Sequence, residues 1–383
     1  VEPQIPMDEN LSATQSSAPR HSPESDHMSD RYSRQILYPG IGAKGQQLLA
    51  GARVAIVGVG ATGAASASLL ARAGVGHLTL IDRDFVESSN LQRQILFDEA
   101  DAAATLPKAE AARRKILLCN SSIQVEAAIT DLNPANVHTL LSQSHILLDC
   151  TDNFETRYLL NDYAVREGKP WIYAAAIGAY AATMNILPGQ GEPAGSQTSL
   201  PAPCCSPTAC LACVFPTPPS GQVETCDTVG ILSMAVNLAA SIQSAEALKF
   251  LTHQPHLMRR TLLSQDLWTN QHREISTAKP NPDCPVCAGR VFSHLAGVFR
   301  PHITLCGRNS VQIHEHQRPI HLAETHASLA RQSEITGLRS NAMLLRFTRG
   351  AQTFTVFPDG RALIQGTTDI ALARSLYARF IGS

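Results

Sequence analysis

The sequence predicts an α/β fold, a largely parallel sheet wound with helices, followed by a loop-rich region bearing cysteines and a small C-terminal α+β domain. Three observations predict it. A β-branched apolar run from Arg53 leads into Gly58, Gly60 and Gly63, spaced G-x-G-x-x-G, and then into a helix of small residues closing at Gly74. Two Cys-x-x-Cys pairs follow later in the chain. Beyond Arg290 short alternating apolar runs are separated by turn residues.

The glycine run begins the first element. Such glycines allow a tight strand-to-helix turn and close backbone approach, and the free N–H groups of the helix start face an anion. "HLTLID" follows as a second buried strand ending in Asp82, whose carboxylate can accept hydrogen bonds from ribose hydroxyls. Strand, helix and acid in register read as a Rossmann-like nucleotide-binding βαβ unit, rather than an ordinary Gly-rich turn.

The next stretch, "ESSNLQRQILF" (Glu87 to Phe97), crowds Asn90, Gln92, Arg93 and Gln94 close behind that strand. Arg93 and, further on, Lys108 bring positive charge towards the phosphate side of the pocket; a merely solvated face is the alternative. Cations there stabilise a phosphoryl group undergoing displacement, whereas hydride transfer needs none. A further strand, Ile146 to Asn153, ends in Asp152, placed at the carboxyl end of the sheet to hold magnesium. A nucleoside triphosphate, ATP, fits this set better than NAD.

Taken in order, "RYSRQILYPGIG", G-x-G-x-x-G, "LTLIDRD", "SSNLQRQ", "PKAEAA", "LLDCTDNFETRYLLND" and the paired Cys-x-x-Cys motifs resemble the ThiF/MoeB/HesA family of ubiquitin-activating-enzyme-like adenylyltransferases, from about Arg31 to Arg290. The resemblance implies that Asp82 binds the ATP ribose, that Asn90, Arg93 and Lys108 bind the phosphates, and that Asp152 binds magnesium. It also implies a homodimer in which Arg34 reaches the other protomer's active site. The substrate implied is a small ubiquitin-like sulfur-carrier protein with a C-terminal Gly-Gly, served by a sulfurtransferase or cysteine desulfurase in molybdopterin, thiamine or related biosynthesis. Two departures concern the phosphate loops. Ala61 stands where the family often has a third glycine, and "TLPK" (Thr105 to Lys108) replaces a Gly-x-Pro-Lys turn.

Ten cysteines without a secretory signal favour metal binding or chemistry over disulfides. Cys210 and Cys213, with Cys284 and Cys287, supply four thiolates for a tetrahedral structural zinc, a zinc-knuckle region; unrelated knuckles or a disulfide are the alternatives. Cys204 and Cys205, in a Pro-rich segment from Pro188 to Pro219, are rival ligands. Cys226 matches the position where sulfur-transferring relatives carry a cysteine able to link to the activated carrier, and a structural thiol is the equal alternative. Cys119, Cys150 and Cys306 read as buried thiols.

The remaining elements complete the domain plan: residues 1–30 a disordered tail, 31–290 the adenylation domain, and 298–383 the α+β domain, its last helix capped by Thr367 or Thr368. Because the chain opens on Val1, its natural start is expected upstream, at Met7 or at Met28. The formal net charge is -1 and the pI about 7.0, so no nucleic acid or acidic membrane surface is implied. Polar residues interrupt the longest apolar stretch, Ile231 to Leu251, and the first residues lack an apolar h-region, so a cytoplasmic protein is expected. An enzyme of the same superfamily acting on another carboxylate or a tRNA base is the principal alternative. An NAD oxidoreductase or inactive scaffold rests on the glycine motif alone.

Overall fold

The computed structural model describes residues 30–189, 206–217, 229–297, 303–306, 310–313 and 319–382. The N-terminal tail up to residue 29, Cys204, Cys205 and Cys226 lie outside the described residues.

Helices α1 (Ser33–Ile36) and α2 (Gly42–Ala50) precede a sheet built from β1 (Arg53–Val57), β2 (His77–Ile81), β3 (Gln124–Ala128), β4 (Ile146–Asp149), β5 (Trp171–Ile177), β6 (Tyr180–Ile186), β7 (Thr261–Asp266) and β8 (Gln271–Ser276). The strand order is β3-β2-β1-β4-β5-β6-β7-β8. From β3 to β5 neighbouring strands are parallel, and from β5 to β8 they are antiparallel. Between the sheet strands run α3 (Ala61–Arg72), α4 (Glu99–Ala103), α5 (Lys108–Cys119), α6 (Val137–Leu141), α7 (Phe154–Glu167), α8 (Leu211–Val214) and α9 (Ser233–Leu251).

Both faces of the central parallel strands are covered, which is why β1, β4 and β5 read as nearly unbroken apolar runs, whereas the edge strand β3 does not. Val54 and Ile56 of β1 join one core with Leu70, Ile116 and Phe250, whereas Ala55 and Val57 join the other with Leu160, Tyr163 and Trp171. Chain order reverses between β1 and β4, which opens a crevice at their carboxyl ends. Among the described residues no helix is long and apolar enough to cross a membrane.

The "RYSRQ" motif anchors the chain's start against this sheet. Gln35 and Gln46 both donate to the Ala73 carbonyl, and Asn120 donates to the Tyr32 hydroxyl at 2.8 Å. Gly74, at φ +83, sits against Tyr32 and Gln46 so closely that a Cβ would overlap them.

A second sheet, ordered β11-β12-β13-β14-β10-β9, is wholly antiparallel. It comprises β9 (Ile303–Cys306), β10 (Ser310–Ile313), β11 (Thr336–Ser340), β12 (Leu345–Arg349), β13 (Gln352–Val356) and β14 (Ala362–Gln365), with α10 (Leu322–Leu329) and α11 (Ile370–Phe380). Phe347, Phe354 and Phe380 pack together at its core. Two details differ from expectation. The strand β11 has no clear alternation in sequence, and α11 is capped by Asp369, whose carboxylate accepts from the Ala371 and Leu372 amides. Thr367 instead accepts from the Asp369 amide, one step outside the helix.

The link from α4 into α5 carries a local conflict. Thr105 stands at φ +51, a left-handed conformation that costs a β-branched residue about 1–2 kcal/mol. It occupies the first position of "TLPK", where the family pattern places glycine. Thr105→Gly relieves that conflict but gives the unfolded chain more freedom, so a net stabilisation of up to about 1 kcal/mol is expected. Denaturant unfolding measures it, and a clear loss of stability would show that the Thr105 side chain contributes more than its backbone costs.

Candidate active site

The crevice between β1 and β4 gathers most of the residues singled out in the sequence. At the end of β1, a Cβ on Gly58 would lie 2.7 Å from the Cys150 carbonyl oxygen, and one on Gly63 would lie 1.8 Å from that of Gly58. These two glycines let backbone pack on backbone. Gly60 differs, because the nearest atom to its missing Cβ is Gln94 Nε2 at 3.9 Å. It is the N-cap of α3 and supplies no side chain to the free amides there. Open space beside unshielded N–H groups suits an anionic group. Gln94 beside it is buried and its Oε1 lacks a hydrogen-bond partner among the described residues, a polar atom left for a ligand.

Asp82 follows β2 and faces the same opening. Its carboxylate accepts from the Val59 amide at 2.6 Å and the Asp84 amide at 2.7 Å. Burial raises its pKa to about 6, opposed by the nearby Lys108 ammonium. Lys108 is itself buried and donates to Asp84 Oδ2 at 3.1 Å. Burial disfavours its charge, yet Asp84 and Asp82 outweigh that penalty and leave its pKa raised, so it stays an ammonium.

Backbone pairing explains how a residue at the start of α5 comes to lie beside the end of β2. The Lys108 amide donates to the Asp84 carbonyl, the Val86 amide donates to the Leu106 carbonyl, and Phe85 bridges Pro107. Asp84 is the residue sequence reasoning missed. Its only signal is its place two residues after Asp82 in "LIDRD", on the same side of an extended segment.

Asn90 lies in a short 3-10 turn, Ser88–Asn90, and is almost wholly buried, its Oδ1 accepting from the Glu87 amide. Arg93 is folded back to the Ser89 carbonyl at 3.0 Å. Asp152 lies beyond β4 rather than at its end. The strand stops at Asp149, whose buried carboxylate turns inward to Arg157 Nε at 3.1 Å and to the Thr151 hydroxyl, while Asn153 caps α7. Asp152 therefore stands in the exposed loop at the crevice mouth. Arg34, on α1, is exposed and has no hydrogen bond or ion pair among the described residues.

The cysteine cluster forms separately, against α7. Sγ atoms of Cys210 and Cys213 are 3.7 Å apart, of Cys210 and Cys284 3.6 Å, and of Cys213 and Cys287 3.3 Å. Four sulfurs tetrahedrally placed about 2.3 Å from one zinc lie about 3.8 Å from one another, so the set nearly fits such an ion without rearrangement. The Asn281 amide and the Asn161 side-chain amide point N–H groups at Cys213 and Cys210, which suits sulfurs carrying negative charge. Elsewhere, Cys150 is a half-buried thiol contacting Gln243, and desolvation pushes its pKa up, which leaves it inert.

A model of the family described as ThiF family matches residues 32–286. The Bacillus subtilis protein named sulfur carrier protein ThiS adenylyltransferase is 40% identical over 357 residues, 93% of this chain and 100% of that protein. The Haloferax volcanii SAMP-activating enzyme E1 is 35% identical over 259 residues, 67% of this chain and 88% of that one. Among solved structures, E. coli MccB crystallised with ATP superimposes with a TM-score of 0.55 at 26% identity, over 67% of this chain and 74% of that chain.

If the four sulfurs hold zinc, Cys284→Ser should lower the metal content from about one ion per chain and reduce thermal stability, because metal binding is coupled to folding. Elemental analysis with a melting curve checks both. Full zinc retention would remove Cys284 from the ligand set.

Proposed function

The chain belongs to the ThiF family, and from that premise we propose that it uses ATP to adenylate the C-terminal glycine carboxylate of a small ubiquitin-like sulfur-carrier protein. The observation that carries this reading is Lys108, a buried ammonium beside Asp82 at the mouth of an uncapped helix start. A buried cation there answers a triphosphate, whereas a dinucleotide oxidoreductase has no use for one. The relatives named above for sulfur-carrier activation support the same substrate class.

In the proposed reaction a carboxylate oxygen of the carrier attacks the α-phosphorus and pyrophosphate leaves, giving an acyl adenylate. The carboxylate is ionised near neutral pH, so no general base is needed. Catalysis then reduces to positioning and charge stabilisation. Asp82 accepts from the ribose hydroxyls, the α3 amides and Asn90 approach the phosphates, and Lys108 and Arg93 offset the charge that develops on them. Asp152 would hold magnesium, which supplies further positive charge to the phosphates when bound. Zinc held by Cys210, Cys213, Cys284 and Cys287 has a structural part, since four thiolates leave no position for water. Cys226 is proposed as the thiol that later displaces AMP from the adenylate, with a sulfurtransferase or cysteine desulfurase as sulfur donor. Cys119, Cys150, Cys210, Cys213, Cys284 and Cys287 are in no disulfide, which suits a cytoplasmic site of action, testable by fractionation.

Pyrophosphate exchange into ATP tests the reaction. Exchange is expected only when a carrier with a free C-terminal Gly-Gly is present, and Arg93→Ala should lower it by about 100- to 1000-fold. Cys226→Ala should leave exchange intact. Exchange that ignores the carrier, or survives Arg93→Ala unchanged, would overturn the assignment in favour of another carboxylate or a tRNA base.

Arg34, exposed on α1, is proposed to complete the site of a second copy in a homodimer. Mixing Arg34→Ala chains with Asp152→Ala chains should then restore part of the lost activity. Heterodimers that form without any recovery would rule out a shared site.

A further inference from the structure

Residues 82–87 run between the two sheets, and their side chains sort by parity. Asp82 and Asp84 turn to the crevice, where they meet the Val59 amide and Lys108. Arg83, Phe85 and Glu87 meet the second sheet or the loop that packs against it. Arg83 Nη1 donates to Asp131 at 2.8 Å and to Gln312 Oε1 of β10 at 3.2 Å. Phe85 packs with Leu344 and Phe357, and the Arg346 guanidinium of β12 lies 4.6 Å over its ring. Glu87 is 3.8 Å from the same guanidinium. Such alternation is what an extended segment imposes, since successive side chains point to opposite sides.

A second set of contacts ties the same sheet to the end of β3. Arg361, 1% exposed, donates to the Ile129 carbonyl at 3.2 Å and lies 3.8 Å from Asp131 Oδ2, the same carboxylate oxygen to which Gln312 donates. Asp131 thus joins Arg83, Gln312 and Arg361 at one point. The B. subtilis relative matches 357 residues, more than the adenylation segment holds, so the match extends into the segment that forms the second sheet.

We propose that the C-terminal sheet is a splint for the nucleotide site: it grips Arg83, Phe85 and Glu87 and thereby fixes Asp82 and Asp84 on the opposite side of the same extended segment. Arg346 is then a positioning residue, acting through Phe85 and Glu87 and touching no substrate. The proposal deepens the adenylation reading and rests on it for the identity of the ligand. It gives the C-terminal sheet a part in the first half-reaction.

The test uses the full chain and the magnesium complex of an ATP analogue with a methylene bridge between its α and β phosphorus atoms. Arg346→Ala should weaken analogue binding by about three- to tenfold, within the range that mutations in coupling networks produce. Arg346→Lys keeps a cation over the ring and near Glu87 and should restore most of the affinity. In the same Arg346→Ala variant, amide hydrogen exchange should quicken in residues 82–90 and not in β5 or β6. Unchanged affinity with unchanged exchange in 82–90 would overturn the splint, as would loosening spread evenly over the large sheet. A wild-type chain that binds no analogue would sink the adenylation reading instead, and the exchange pattern alone would then decide the splint.

Discussion

The architecture turns on one backbone contact, Gly63 against the Gly58 carbonyl. It sets how near α3 comes to β1, and that distance brings the Gly60 amide end of the helix to the crevice. Any side chain at Gly63 would push the helix away and move its free N–H groups off the opening. The rest of the site is arranged around that fixed point. Asp82 accepts from the Val59 amide in the middle of the glycine run, so the acid's position is referred to the same turn.

Charge is then distributed by burial. Buried Lys108 pairs with the half-exposed carboxylate of Asp84, and Asp149 pairs with Arg157 wholly out of solvent below the crevice. The second is the costlier pair to bury, and it is retained with additional hydrogen bonds, as such pairs must be. Only the first borders the opening. Arg93 and Asp152 lie nearer its rim, where they can reorient towards a ligand.

Much of this was legible in the sequence because it rests on short, fixed spacings. Gly58, Gly60, Gly63 and Asp82 belong to one βαβ unit, and Cys-x-x-Cys pairs bring their sulfurs together by local geometry. What was not legible depends on chain segments far apart. Nothing in "LIDRD" says that Asp84 will meet Lys108, since the pairing of residues 84–86 with 106–108 decides it. Arg346 and Gln312 likewise carry no pattern, because their partners lie 181 or more residues earlier. The cap of α11 shows a subtler limit: Thr367, Thr368 and Asp369 are all good capping residues, and only the backbone selects Asp369.

The position of β14 has a consequence for biosynthesis. It pairs with β13 on one side and with β10 on the other, so the latest-made of the described strands lies inside its sheet rather than at the edge. The sheet cannot close until Gln365 has left the ribosome. A chain emerging from its N-terminus folds its large sheet first, and Phe85 and Arg83 then wait uncovered through most of translation. An earlier-made part of the molecule is therefore finished by a later one, and a product cut short before β14 would leave that apolar, cationic flank open to chaperones and proteases.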